Sequence, residues 1–367
     1  MRFHLRRPAM PAIAADFGAS CIRMLQRSAD GLAVSAAVEQ PCEPTAAFDL
    51  DAHLGTASEV IAKSVADSAW FGKRIVASMP ASIVTMTHLK LNPGEDLDTA
   101  IQTRIQDLGI NPMIRSIEVN SPWNSSRSGR ELLCIAMPRA SVLRYVAMLH
   151  EHGLEITGVY SPASMMLRAF QHLNRRGSDV DTATMYIDLE PSMVTVAFGH
   201  GDMLVSARQM TNTMAATATA VAPPRAARPS IAQTSPAASD TDVLTALNRR
   251  QQTASSSMPA IPTGGCDTST AMSDLCEELH MCIRHHQSLF GETPLTRVVF
   301  TGAGALEANQ CRAIAQSLQL PAQIGDPLAR WTATPSGSPS QDWGLQIRPQ
   351  WAIAAGLASP DHKDDLT

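Results

Sequence analysis

The sequence predicts a duplicated α/β fold with a cleft between two halves. Two observations carry that reading. The order strand, acid, tight turn, strand, glycine-containing turn, strand occurs at residues 11–40 and again at 184–210. Around these units, apolar runs of strand length alternate with segments of helical spacing. Self-similarity on this scale reports architecture, so it outranks any local motif.

The first unit runs "PAIAADF" (11–17), "GAS" (18–20), "CIRMLQR" (21–27), "SADG" (28–31) and "LAVSAAVEQ" (32–40), a three-stranded meander whose first turn follows Asp16. Residues 49–70 place Leu54, Val60, Ile61, Val65 and Ala69 near helical spacing. "RIVASMP" (74–80) reads as a buried strand ended by proline, and "THLKLN" (87–92) as an alternating one. Residues 96–109 put Leu97, Ile101, Ile105 and Leu108 on one helical face that stops at Gly109. "ELLCIAMPR" (131–139) is a strand, and residues 141–153 a helix with Ser141 as N-cap and Gly153 as C-cap. Residues 154–160 follow as a strand and 162–174 as a helix with proline at its start.

The second unit runs "TMYIDL" (184–189), "EPS" (190–192), "MVTVAF" (193–198), "GHGD" (199–202) and "MLVSARQM" (203–210), with Asp188 in the place of Asp16. Residues 211–270 are dominated by Ala, Ser, Thr, Pro and Gln. They bury too little apolar surface to offset ordering entropy, and read as a mostly disordered insertion. Residues 273–291 form a helix with a stripe of Leu275, Leu279, Ile283, His286 and Phe290. Residues 295–327 read strand, glycine turn, helix, strand. "WAIAAGLASP" (351–360) is a small-residue helix suited to tight packing, followed by a polar tail.

Length and charge narrow the function classes. A chain of 367 residues has room for two or three domains. A net charge of −5 supplies no basic field for nucleic acid or anionic lipid. The basic N-terminus is not followed by an apolar run, so it does not read as a signal peptide. No stretch nears the roughly 18 apolar residues of a membrane span. Seven scattered cysteines without a C-x-x-C pair fit a reducing cytoplasm.

The candidate chemistry begins with Asp16, Gly18, Ala19 and Ser20. Backbone N–H groups of a tight turn form an anion nest, and an acid at a strand end can hold hydrated Mg²⁺; the alternative is an ordinary hairpin. "TGAGALE" (301–307) follows a strand and opens a helix. It has Glu307 where a dinucleotide fingerprint needs its third glycine, so a turn lying flat against an adenosine is the nearer reading. There is no Walker A sequence and no G-x-S-x-G elbow. Cys276, His280, Cys282 and His286 form two i, i+4 pairs that point roughly 120° apart on a helix, so one metal cannot take all four.

Two strand–acid–turn meanders and a late glycine turn resemble, in order, the phosphate 1, phosphate 2 and adenosine motifs of the actin-like ATPase superfamily. The nearer resemblance is to the PilM family of type IV pilus assembly proteins. It is carried by "AADFGASCIRMLQ" (14–26), "RIVASMPASIVTMTHLKLNP" (74–93), residues 131–170, "YIDLEPSMVTVAFGHGDMLVSAR" (186–208), "RVVFTGAGA" (297–305) and "WAIAAGLA" (351–358). The resemblance implies an actin-like (ribonuclease H-like) duplicated fold: a first half over 11–182 with a small α/β subdomain inserted at about 81–158, a second half over 183–358, and a tail at 359–367. It implies ATP and Mg²⁺ in the cleft. Asp16, Gly18 and Ser20 would serve phosphate 1, Asp188 phosphate 2, and Gly302 and Gly304 the adenosine turn, with Asp16 and Asp188 reaching Mg²⁺ through water. No residue is assigned a catalytic role; for a sugar-kinase-like enzyme Asp188 and Glu190 are the only obvious candidates for a base. The expected role is a cytoplasmic platform for an inner-membrane PilN-type partner and the assembly motor complex, held at the membrane through partners rather than by insertion.

The chain departs from that family at informative places. Ala19 follows Gly18 where the family has serine. Asp-x-Gly of phosphate 2 is here Asp188-Leu189-Glu190, then Pro191. Glu190 lacks glycine's freedom to bring backbone close to a phosphate, and its carboxylate would repel ATP by about 4 kcal/mol at 4 Å for an effective dielectric near 20. Pro191 removes an N–H donor from the turn. Two readings follow: a scaffold that binds nucleotide weakly or not at all, or an active ATP hydrolase or sugar-kinase-like enzyme of the same superfamily.

Overall fold

A computed structural model describes residues 11–43, 48–67, 69–104, 112–119, 130–174, 177–212, 268–291, 293–333 and 347–359. Most of the low-complexity segment, from 213 to 267, lies outside these, as do residues 105–109 of the helix read at 96–109.

The first unit folds as β1 (Ile13–Phe17), β2 (Cys21–Arg27) and β3 (Ala33–Pro41), and the second as β9 (Ala183–Leu189), β10 (Met193–His200) and β11 (Met203–Thr211). In each, the first strand pairs antiparallel with the second and the second with the third. The free side of each first strand then takes a parallel partner: β4 (Arg74–Ser78) beside β1, and β12 (Leu295–Thr301) beside β9. A second parallel strand extends each sheet, β8 (Glu155–Tyr160) beside β4 and β13 (Ala322–Ile324) beside β12. Strand orders 3-2-1-4-8 and 11-10-9-12-13 are therefore the same topology written twice, with β14 (Thr332–Ala333) added at the β3 edge. Parallel partners require a long crossover. Helix α1 (Leu50–Ala66) provides it in the first half and α5 (Thr268–Leu289) lies in the corresponding place of the second.

A separate three-stranded sheet of β5 (Thr85–Leu91), β7 (Arg130–Pro138) and β6 (Pro112–Glu118), in the order 5-7-6, rises from the first half together with α2 (Leu97–Arg104). Helix α3 (Arg139–Glu151) returns the chain from β7 to β8. Strand β6 is not among the segments that alternation picks out. It starts on proline and is only half-buried, as a sheet edge tolerates.

Between the main sheets the halves exchange helices. Helix α4 (Pro162–Ala169) packs on β9, β10 and β11, while α6 (Ala352–Ala358) packs on β1, β2 and β4, and the two helices cross each other. The crossing is at backbone contact: a Cβ added at Gly356 would lie 1.9 Å from the Met165 carbonyl oxygen. Here the expected tight packing of the small-residue helix is realised. Ser161 caps α4 by accepting from the Ser164 N–H, with Pro162 in the first turn.

Other local expectations change. Helix α3 begins at Arg139, so Ser141 lies inside it and is no cap. Gly153 does close it, at φ +72° with its N–H on the His150 carbonyl. The buried face of α1 is His53, Ala57, Val60, Ile61 and Ser64, whereas Val65 is exposed. Small and polar residues complete that stripe, and an apolar count passes over them.

Candidate functional site

The two acid-bearing turns meet across the cleft. Register builds the first wall. Asp16 on β1 stands opposite Arg23 on β2, which stands opposite Glu39 on β3, so the three side chains share one face of the sheet. Arg23 Nε donates to Glu39 Oε1 at 2.8 Å. The turn itself is tight: a Cβ on Gly18 would lie 2.7 Å from the Cys21 carbonyl oxygen. The Gly18 carbonyl accepts from His53 Nε2 at 3.0 Å, and Tyr145 OH lies 2.7 Å from His53 Nδ1. A carbonyl only accepts, so His53 carries its proton on Nε2 and Tyr145 donates to Nδ1. Burial holds the His53 pKa below its usual value, which suits a neutral ring.

The second wall is the β9–β10 turn. Asp188 lies beside Thr301 at the end of β12, and the Thr301 hydroxyl donates to its Oδ1 at 2.9 Å. Glu190 points out of this turn into the first half. Its Oε2 accepts from Ser20 Oγ at 2.6 Å and its Oε1 from Arg23 Nη1 at 3.0 Å. The Ala303 N–H approaches the same Oε1 at 3.4 Å. The Glu190 backbone is held as well: its N–H donates to the Met193 carbonyl, and its carbonyl accepts from Asn212 Nδ2 at 2.8 Å.

The glycines of the third motif pack against the second. A Cβ on Gly302, where φ is +82°, would come within 2.6–2.8 Å of the Leu189 backbone, and one on Gly304 within 2.9 Å of Leu189 Cβ. Chain-to-chain contact is sufficient reason for both glycines, with or without an adenosine above them.

One cation therefore serves several acids. Arg23 is 3% exposed. Burial opposes its charge, but Glu190, Asp16 and Glu39 outweigh that and raise its pKa. Asp16 is 1% exposed, and neither of its carboxyl oxygens has a hydrogen-bond partner. Burial first, then the charges of Glu190 and Asp188, push its pKa well above the carboxylate range against the pull of Arg23. Burial and the Glu190 charge raise Asp188 to about 7.

The residues fit the implied ATP–Mg²⁺ unequally. Asp16 and Asp188 are oxygen donors of the kind a hydrated Mg²⁺ takes, and Asp16 has both oxygens unclaimed. The phosphate side fits poorly, because the Ser20 hydroxyl, the Arg23 guanidinium and the Ala303 N–H already converge on Glu190. Of the sequence candidates, Asp16, Gly18, Ser20, Asp188, Gly302 and Gly304 all line this one junction. Arg23 and His53 are the residues that sequence reasoning missed. Counting outward from a Gly18–Ser20 turn would put Ile22 opposite Asp16; the register that forms pairs Phe17 with Ile22 and so brings Arg23 there, which residue types alone do not show. Nothing marks His53 either.

The cysteine and histidine cluster lies elsewhere. Cys276 and Cys282 are buried, and His286 stacks on Phe198 and shares a 2.9 Å hydrogen bond with His200. Among the described residues no three His, Cys, Asp or Glu side chains are grouped to hold a metal directly, and no helix is long and apolar enough to cross a membrane.

A second concavity, about 1140 Å³, opens at the far end of β10 from Glu190. Its walls come from β6, β7, α3, α4 and the β10–β11 turn. Met113, Met137, Val142, Met165 and Leu204 make it apolar, and Met113 and Val180 are also among the exposed large hydrophobic residues. The eight residues of β10 put roughly 25 Å between this groove and the cleft turn.

No protein-family model matches the chain, and no curated protein matches it. Solved structures do. The chain is similar to one from a PilM–PilN type IV pilus biogenesis complex, at 14% identity and a TM-score of 0.66, over 96% of this chain and 98% of that one. It is also similar to a Bacteroides thetaiotaomicron protein of actin-like ATPase fold and unknown function, at 9% identity and TM-score 0.49, over 98% and 100% of the two chains. An ethanolamine utilization protein, EutJ, from Carboxydothermus hydrogenoformans follows at 12% identity and TM-score 0.45, over 96% and 90%. The fold is the actin-like ATPase fold in its PilM-like form, with the duplicated topology described above.

Proposed function

We propose that this chain is a cytoplasmic scaffold of type IV pilus assembly, or of a related secretion-type machine, and that it binds nucleotide weakly or not at all. In this reading it holds the cytoplasmic tail of an inner-membrane PilN-type protein, sits against the membrane through that partner, and couples it to the assembly motors. The supporting observation is the division of labour between two concavities. The cleft that would hold ATP is bridged by the chain's own carboxylate. The groove at the other end of β10 presents an apolar floor beside a sheet edge. Among the described residues β6 pairs with a strand, β7, on one side alone, and a sheet edge is where an extended peptide adds. A short extended tail with apolar side chains has the chemistry to fill such a groove. The PilM–PilN structure, matched over nearly the whole of both chains, supports a PilN-type partner.

The test is binding of a synthetic peptide, the cytoplasmic tail of a PilN-type protein from the same organism, to the full chain by fluorescence anisotropy. The expected Kd is on the order of micromolar. Met113→Asp and Val142→Asp should each weaken it at least tenfold, because each puts a charge on the apolar floor. No saturable binding, or binding indifferent to both substitutions, contradicts the proposal. An ATP-dependent enzyme would instead need Glu190 out of the cleft during each turnover.

A further inference from the structure

The geometry points to Glu190 as a tethered ligand: a carboxylate of the second half that fills a small oxyanion seat of the cleft and holds the two halves closed with no ligand bound. The seat has three donors of different kinds: a hydroxyl from the β1–β2 turn, a guanidinium from β2, and a backbone N–H from the turn after β12. Two belong to the first half and one to the second, so whatever they grip fastens one half to the other. Glu190 grips them with both oxygens, at 2.6 and 3.0 Å for the closest pair. Charge assistance from Arg23 makes these the stronger class of hydrogen bond.

The carboxylate is also placed from behind. Its own N–H and carbonyl are both engaged, to Met193 and Asn212, and Pro191 fixes the next φ. A side chain held this way reaches its seat at small entropic cost, as a preorganised ligand does. The side chain is 15% exposed, which leaves a route for a small solute once it is removed. A seat that matches two carboxylate oxygens accepts formate, acetate or a phosphate by the same chemistry.

This inference rests on the reading that the cleft does not turn nucleotide over, but its test does not involve the groove or the pilus partner. Thermal melts of the full chain would be compared for wild type, Glu190→Ala and the double variant Glu190→Ala with Arg23→Met. Each would be run in chloride, formate and inorganic phosphate at matched ionic strength, so that screening is constant. Glu190→Ala is expected to melt several degrees below wild type. Tens of millimolar formate or phosphate should restore at least half of that fall, since a solute that binds the folded state alone raises its melting point. Wild type, whose seat is filled, and the double variant, whose seat lacks its cation, should not respond.

Mg²⁺–ADP at the same concentration distinguishes the sources of phosphate. A larger rise than with inorganic phosphate assigns the seat to a nucleotide phosphate and an equal rise to a free anion; either supports a latent oxyanion seat. Glu190→Gln keeps the shape without the charge and should melt between wild type and Glu190→Ala, which covers the case where the alanine variant does not fold. A Glu190→Ala protein that melts with wild type, an anion response equal in all variants, or a Glu190→Gln protein indistinguishable from wild type would each overturn the inference. None of these results alters tail binding in the groove, so the two proposals fail separately.

Discussion

The β1–β2 turn and the β9–β10 turn occupy equivalent places in a duplicated topology, and they have opposite chemistry. The first, Phe17-Gly18-Ala19-Ser20, is closed tightly against Cys21 and its carbonyl is fastened to His53. It offers a hydroxyl, and the strand behind it offers a guanidinium. The second, Leu189-Glu190-Pro191-Ser192, offers a carboxylate. One wall donates and the other accepts, so Glu190 bridges the cleft while Asp16 keeps both oxygens unpartnered. Duplication fixes where the walls stand, and two residues in one turn decide what the space between them can hold.

That contrast can be broken from either side. Arg23→Met has the largest expected effect. It removes the buried cation that Glu39 and Glu190 both grip and that Asp16 and Asp188 face. Removing one partner of a buried pair costs about 3–5 kcal/mol. Urea unfolding measures this, and a loss below about 1 kcal/mol would mean the network behaves as a surface pair.

Gly302→Ala comes next. At φ +82° and ψ 172°, with the Leu189 backbone 2.6 Å from the new Cβ, strain and overpacking together should cost about 3 kcal/mol. The same urea unfolding measures this loss, and a neutral result would show that the third motif is not held by packing. Gly18→Ala should cost about 1–3 kcal/mol by pushing the turn off the Cys21 carbonyl. A neutral result there would show that the first turn tolerates change as freely as an exposed loop.

The last way to break the contrast is a pH dependence. Asp188 has its pKa raised to about 7 in the folded chain, against an ordinary value near 3.8. Between those values the folded state binds the extra proton, so this group's contribution to stability falls as pH rises and is fully lost above about 7. Asp188→Asn keeps an acceptor for Thr301 without the charge. It should leave stability unchanged below pH 4 and raise it at pH 8, where the folded wild type has lost the proton that burial favours. Melting curves across that range would show a flatter profile for the variant. A profile parallel to wild type would place the proton elsewhere in the cluster.

Much of this was legible in the sequence. Both meanders, the parallel strands after them, Pro162 at the start of α4, and the close-packing helix at Gly356 all declare themselves through alternation, proline placement and small residues. What alternation could not show was β6, because an edge strand starting on Pro112 needs no buried face. The site was half legible. Asp16 and Asp188 stand out as acids at the ends of apolar strands, and Glu190 as a misfit in a glycine turn. Its reach of 170 residues back to Ser20 is a tertiary fact. The sequence suggests a carboxylate that repels a phosphate; the fold shows one that accepts from Ser20, Arg23 and the Ala303 N–H. Arg23 was hidden for a related reason, since its role depends on register rather than on residue type.

The most direct test of the central claim is calorimetric titration of Mg²⁺–ATP into wild type and Glu190→Gly. If Glu190 fills the seat, wild type gives no saturable heat into the millimolar range and Glu190→Gly gives a measurable isotherm. Micromolar binding by wild type that disappears in Asp16→Ala would contradict the claim and return the cleft to a working nucleotide site.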